Sequence, residues 1–572
     1  MSYLLNVGTI IIAFEILTAV TTQALHIFTY PIILTIHALG IIIALYLIII
    51  HKKSVVDEIQ KMYRNILKNL PSVMLFIIAF TIISLELSSI HYSYSGTVST
   101  IEGQDVVTNS YYPYPYYSDE WVGVSLTEYS IHNNALPLVN PLDSNKHFAN
   151  PLMVFYSVVA ELFLVFGMNP LTGWAVFALI NGLITSILVY KISRALGINA
   201  FAASIAMLSV PLITNATNAP GIWFFVPFLG SLSIFLLAIL LTLKKELWFA
   251  LIAYTLSLML YPPMVVFILP TILGIILLNK NNRNKILSAG IGVIILGAGF
   301  ISIFLISNYG WIKATQLLTS WVIRHNLDGG IPYLAIWNIV PIPLLALACI
   351  GIIISFKKKL YQILFPVCVG LVMWVVYAYV PKTFIVDYSR IVSITAILLM
   401  PLIGLGSQII IKYVSKLHSY IKICLNIAIV VCVCIVTLTY PSQNSWSKLT
   451  LAFQTSNGIE IIHPSNPINR YIDPTDLSLF ANIHEKYFLS PSWKGLVIGV
   501  ATHNYPLESK SSTIANQIMS YNDFVSGNCF TKNDMASGSQ MTYVFAQPFN
   551  CPNFLKIGDS PENLSLYQYI SK

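Results

Sequence analysis

Long apolar runs broken by short basic connectors fill the first 440 residues. They lie at 4–22, 28–50, 73–92, 151–167, 171–190, 199–214, 222–243, 247–260, 263–278, 286–307, 334–356, 360–380, 389–411 and 423–440. Nearly all exceed the length of a buried strand, and many approach the ~20 residues that cross a ~30 Å hydrocarbon core, so the pattern predicts membrane helices. After residue 440 the chain turns polar, with Pro, Asn and Ser throughout. There only Gly495–Val500 and Met541–Phe545 read as short strands. That tail is long enough for one small α/β domain.

Composition removes the soluble alternatives. Charged residues are 9% of the 572, against about 25% in an ordinary globular chain. Hydrophobic residues reach 56%, and the mean hydropathy is +0.74. A soluble enzyme, a nucleic-acid-binding domain and a disordered scaffold are all excluded. The net charge of +8 is a matter of topology. The connectors 51–72, 191–198, 244–246, 279–285, 357–359 and 412–422 hold most of the Lys and Arg that precede the tail, as cytoplasmic loops do.

Parity then decides one segment. Loop 51–72 is basic, so 73–92 leads outward, and loop 93–150 carries several acids but only Lys146 as a cation. If 151–167 also crossed, every later basic connector would fall outside. That run is 17 residues, about 25 Å of helix. It also holds Glu161 near its middle, where a charge costs about 2.5–3.5 kcal/mol at the bilayer centre. It is therefore expected to be an outer juxtamembrane helix. About 13 spans remain, with a cytoplasmic N-terminus, a retained first helix and an extracytoplasmic tail.

Candidate chemistry collects on the outer side. Asp119 and Glu120 are adjacent carboxylates suited to a general base, and Trp121 and the Tyr-rich run 111–117 can sit at headgroup level or against a sugar. Outward cations are few: Lys146, Lys313, Arg324, Lys382 and Arg390. Any phosphate-linked substrate would need some of them. Tyr261 precedes Pro262-Pro263 at a break in an apolar stretch, and His147 and His325 flank the cations Lys146 and Arg324. Glu15 and Glu86 are acids within apolar runs. Cys349, Cys368, Cys424, Cys432 and Cys434 read as packing residues. Cys529 and Cys551 stand alone in the polar tail and could pair if it is outside. No metal-ligand pattern is present: no Asp-X-Asp accompanies the acidic pair, so no cofactor is required and a divalent metal is not demanded.

The order of these features resembles the GT-C superfamily of polyprenyl-phosphate-dependent glycosyltransferases, in its protein O-mannosyltransferase and aminoarabinose transferase branch. The shared order is a span, an outer loop with Asp119-Glu120, a helix from Pro151-Leu152 to Phe166-Gly167, and a span ending Tyr190, Arg194 and Leu196-Gly197. Asn150-Pro151 with His147 stands where relatives carry His-Pro-Pro or Lys-Pro-Pro. The resemblance implies three regions: an N-terminal hairpin and cytoplasmic loop (1–72), a membrane catalytic domain (73–440) and an extracytoplasmic domain (441–572). It implies Asp119 as base with Glu120 beside it, and Arg390, Arg324 and Lys146 as donor-phosphate ligands. His147, His325, Trp121 and Tyr261 become candidate substrate contacts. The implied partners are a polyprenyl-phosphate sugar, the lipid bilayer and a glycan, lipid or protein acceptor, with no nucleic acid. A secondary transporter and a membrane-anchored sensor or structural protein are the alternatives. Transporters place charges near the midplane, whereas here they gather at one face.

The topology is testable by cysteine labelling. A cysteine replacing Lys245 is expected to react only from the cytoplasmic side, and one replacing Ser511 only from outside. Outside labelling at position 245 contradicts the charge parity.

Overall fold

The computed structural model describes residues 2–50, 56, 60, 70–92, 96–101, 104–109, 114–115, 118–148, 150–213, 222, 224–278, 283–325, 336–379, 382–414, 474–509, 518–560 and 563–570. Apolar helices α1 (Ser2–Ala24), α2 (Tyr30–Ile50) and α3 (Leu70–Tyr92) come first. The next stretch holds an antiparallel hairpin, β1 (Gly96–Ile101) with β2 (Gln104–Asn109), then α4 (Ser118–Asn133). A short ladder of β3 (Val139–Asn140) with β4 (Lys146–His147) follows. Helices α5 (Met153–Phe166), α6 (Pro170–Ala195), α7 (Ala200–Leu208), α8 (Pro227–Leu243) and α9 (Leu247–Leu260) continue the chain. Their starts are local. Asn199 caps α7 by accepting from the Ala202 N–H, and α6 and α8 open on proline.

A single 3-10 turn, Pro262–Met264, leads into α10 (Val265–Leu278). Helix α11 (Arg283–Val322) is divided by a kink at Gly310, where φ is 72°. Then come β5 (Ile323–His325), α12 (Ile336–Ile339), α13 (Ile342–Lys357), α14 (Tyr361–Tyr379), β6 (Lys382–Phe384) and α15 (Tyr388–Val414). The tail contributes α16 (Pro474–Leu479), β7 (Tyr487–Leu489), α17 (Ser492–Thr502), β8 (Tyr505–Pro506), α18 (Tyr521–Ser526), α19 (Cys529–Gly538), β9 (Met541–Ala546), β10 (Phe554–Asp559) and β11 (Ser565–Tyr569).

Two compact units result. One gathers Met1–Ser88, Pro151–Val165 and Val176–Asn444; the other gathers Ser89–Asn150, Phe166–Ala175 and Ser445–Lys572.

The first unit is a helix bundle. Its helices meet through small residues and internal hydrogen bonds, the devices available where apolar side chains face other apolar matter on every side. Helices α13 and α15 approach until a Cβ on Gly351 would strike the Leu402 carbonyl and one on Gly406 the Leu347 carbonyl. Between α8 and α9, Ser231 Oγ donates to the Ser257 carbonyl at 2.7 Å and Ser257 Oγ returns a bond to the Ser231 carbonyl at 3.0 Å. Among the described residues three helices are long and apolar enough to cross a membrane: Leu5–Ala24, Pro170–Ala195 and Tyr388–Tyr413. Shorter apolar stretches of 10–17 residues lie within other helices, such as Tyr30–Ile43 of α2 and Leu70–Leu85 of α3. Segment 151–167 forms the helix α5, which is packed against other parts of the protein. Val154, Ala160, Glu161 and Phe163 are buried, and Gln23 of α1 donates to the Ser157 carbonyl at 3.0 Å.

The second unit is α/β. Its five-stranded sheet has the order β10-β11-β9-β7-β8, antiparallel from β10 to β9 and parallel from β9 to β8. Phe480, Phe488, Ile498, Phe545 and Leu566 form one part of its core, and Leu489, Phe524, Val544, Phe554 and Tyr567 another. Cys529 and Cys551 are disulfide-bonded with Cα atoms 5.5 Å apart. Met541–Phe545 lies in β9, as its pattern predicts. Gly495–Val500 does not form a strand; it is the middle of α17. Short β-branched runs read alike as buried strand or buried helix. Here Gly495 and Gly499 stand one turn apart and let α17 ride against the backbone of 504–508, where any Cβ would collide. Residues 93–150, expected as a loop, contain the β1–β2 hairpin and α4.

Helix α4 packs against α17 inside this second unit. Glu128 of α4 is buried there, its Oε2 4.0 Å from His503 Nδ1. Burial pushes the Glu128 carboxyl from 4.5 up to about 8. His503 is held below 6.5 by burial first and then by His132 and His484, against a smaller opposing pull from Glu485. The raised group stabilises fully below 4.5 and loses that contribution as pH rises through about 8. The lowered imidazole stabilises above 6.5 and loses as pH falls. Between pH 6.5 and about 8 only the carboxylate changes. Thermal unfolding of the purified protein should weaken across that window, and Glu128→Gln should flatten the slope. Equal slopes in both proteins contradict the assignment.

Candidate active site

The acidic pair opens a helix. Ser118, Asp119 and Glu120 form the first turn of α4, where unpaired backbone N–H groups stabilise negative charge. Asp119 is half-buried and Glu120 fully enclosed. Trp121 is enclosed too and stacks with Tyr114, the ring centroids 6.3 Å apart at 29°. Its indole Nε1 has no hydrogen-bond partner among the described residues. The turn therefore leaves one carboxylate, Asp119, partly accessible and encloses the other, Glu120. The sequence carried a helix-start signal here, a Ser followed by two acids.

Other candidates in the same unit are less directed. Lys146 is exposed, and its Nζ is 2.8 Å from Asp143 Oδ1, so its charge is already balanced. His147 is exposed beside it on β4. Asn150 is buried and donates to the Pro137 carbonyl at 3.0 Å. It closes the segment 137–150 on itself, a structural role.

The basic candidates belong to the first unit. Arg390 lies in the first turn of α15, its guanidinium 5.1 Å from the centre of the Phe228 ring and its Nη1 donating to Ser389 Oγ at 3.1 Å. Phe228 in turn packs against Tyr261, centroids 6.2 Å apart. Two predicted positions are thus joined by a ring that the sequence did not mark. An aromatic face holds a guanidinium by cation–π attraction and stacking. The backbone adds a second feature. Strand β5 pairs antiparallel with β6, setting Arg324 opposite Thr383 and His325 opposite Lys382, three residues of chain before α15 begins. Arg324, Lys382 and Arg390 therefore sit on adjoining backbone at one end of the bundle. Elsewhere in this unit, Leu269, Pro270, Leu273, Phe365, Cys368 and Val369 line an apolar groove between α10 and α14, each helix bearing an internal proline.

No family model matches the sequence, and no curated protein matches it. Solved structures do resemble the chain. One is the oligosaccharyltransferase of Archaeoglobus fulgidus in the apo form, with a TM-score of 0.46 and 14% identity over 84% of this chain and 70% of that one. The Archaeoglobus fulgidus oligosaccharyltransferase AglB, in complex with an inhibitory peptide and a dolichol-phosphate, gives 0.47 and 14% over the same shares. ArnT from Cupriavidus metallidurans bound to undecaprenyl phosphate gives 0.48 and 11%, over 86% of this chain and 97% of that one. At these identities and scores the likeness is distant, and it transfers no residue and no substrate.

Proposed function

We propose that the protein is an integral membrane glycosyltransferase of the GT-C kind. It would have about 13 spans, a cytoplasmic N-terminus and an extracytoplasmic C-terminal domain. It moves a hexosyl or pentosyl group from a polyprenyl-phosphate donor to a glycan, lipid or protein acceptor outside the cell. Dolichol-phosphate and undecaprenyl phosphate occur in the neighbours' structures, and a lipid phosphate of that class is the donor carrier proposed here. The observation that carries the reading is the basic end of the first unit, where Arg390 rests on Phe228 beside Tyr261 and β5–β6 pairing brings Arg324 next to α15.

The chemistry follows from charge. The acceptor hydroxyl attacks the anomeric carbon, and its proton passes to the Asp119 carboxylate. The bond from the anomeric carbon to the phosphate oxygen breaks, and polyprenyl phosphate leaves with the electron pair. Attack opposite the leaving group inverts the anomeric configuration. Phosphate is a good leaving group, so cations suffice to hold its developing charge, and Arg390 and Arg324 supply them. Lys146, balanced by Asp143, contributes less. No divalent metal is required in this scheme. Glu120 helps to set the turn that presents Asp119.

Asp119→Asn is expected to lower transfer by about 10²–10⁴-fold, the usual effect of losing a general base, with unfolding behaviour unchanged. Arg390→Ala should instead raise the donor KM, and Arg390→Lys should recover only part of it, because a point charge lacks the planar fork. The assay uses reconstituted protein with radiolabelled polyprenyl-phosphate sugars. Full transfer by the Asp119→Asn protein sinks the assignment of the base.

A further inference from the structure

Three ionisable side chains meet inside the first unit, apart from the candidate transfer chemistry. Glu15 comes from α1, His37 from α2 and Glu161 from α5. Their ligand atoms all lie within 4.8 Å of one another. His37 Nε2 is 2.9 Å from Glu15 Oε2 and 3.7 Å from Glu161 Oε1. Glu161 is wholly enclosed, and neither of its oxygens has a hydrogen-bond partner among the described residues. The Ala19 amide lies beside it, but that group belongs to the hydrogen-bond ladder of α1. The Glu15 and His37 side chains keep about a fifth of their surface exposed, 22% and 18%.

The tautomer follows from the other ring nitrogen. His37 Nδ1 is 2.8 Å from the Ile33 carbonyl, which can only accept, so Nδ1 carries the hydrogen. In the neutral ring Nε2 then points a lone pair at two carboxylates. Three electron-rich atoms converge where water is largely excluded, an arrangement that demands a cation. A divalent ion balances both carboxylates at once. The donor set of one imidazole nitrogen and two carboxylate oxygens suits Zn²⁺, with water at the fourth position. The bond from Nδ1–H to a backbone carbonyl is the outer-sphere support that metal-bound histidines commonly have.

We propose that Glu15, His37 and Glu161 bind a divalent transition-metal ion of the Zn²⁺ class, which staples the N-terminal helices α1 and α2 to α5. The site is independent of the transfer reaction and of its proposed base. It ties residues far apart in the chain, so occupancy stabilises the folded bundle by mass action.

The test uses the full chain, with any affinity tag removed, purified in nanodiscs and stripped by chelator. Zn²⁺ is added, and binding is read by calorimetry and by the shift in Tm. One equivalent should bind and raise Tm. X-ray absorption should show nitrogen and oxygen ligands at about 2.0–2.2 Å and no sulfur. Glu161→Gln and His37→Ala should each weaken binding by ~100-fold or more, since even outer-sphere changes cost ~10–100-fold. Glu15→Gln, partly exposed and less prone to disturb folding, should weaken it in the same direction, and Glu246→Gln should leave it unchanged. The proposal is overturned if the stripped protein binds no Zn²⁺, if sulfur ligands appear, or if binding persists in Glu161→Gln or Glu15→Gln. In the first case protons, not a metal, hold the three groups together.

Discussion

Every polar group enclosed among the apolar helices has to find its partner inside the protein. The hydrocarbon interior supplies none, and each unsatisfied group costs several kcal/mol. With 9% charged residues the chain places such groups sparingly, and several enclosed polar side chains are tied to a second helix. Ser231 and Ser257 lock α8 to α9. Ser233 Oγ donates to Asn181 Oδ1 at 2.8 Å and joins α8 to α6. Gln23 reaches the Ser157 carbonyl from α1 to α5. The Glu15–His37–Glu161 cluster is the extreme case, because side chains that mutually accept cannot satisfy one another without a proton or a metal ion.

The same constraint separates the two halves of the candidate chemistry. Cations in the bundle need a neighbour that tolerates charge without cancelling it. Phe228 offers Arg390 a ring face 5.1 Å away, which attracts the guanidinium. Lys146, by contrast, pairs with the Asp143 carboxylate at 2.8 Å. The acids sit instead in the α/β unit, at a helix N-terminus where backbone N–H groups stabilise their charge. Arg390 thus rests against an aromatic ring, and Asp119 sits at a helix end.

What could be read from the sequence was what is local. Membrane helices followed from apolar runs, and β9 from its run of β-branched and aromatic residues. The start of α4 was also written locally, in Ser118-Asp119-Glu120, but the Tyr-rich stretch before it drew the segment toward loop. The β1–β2 hairpin had a matching cue, strand-like residues either side of Glu102-Gly103. Pairings between distant segments left no trace. Phe228 under Arg390, β5 against β6, and α4 against α17 depend on tertiary packing, which overrides local preference wherever a short run fits both helix and strand. His37 was hidden in an apolar run, and nothing in one dimension links positions 15, 37 and 161.

The most direct measurement of the central claim is transfer by the unmodified protein in sealed vesicles of known orientation. Labelled sugar on polyprenyl phosphate should move to an acceptor supplied on the side of the C-terminal domain, with free polyprenyl phosphate formed in equal amount. Label that stays on every lipid phosphate tried, or that moves only from a soluble nucleotide sugar, would contradict a lipid-phosphate-dependent glycosyltransferase.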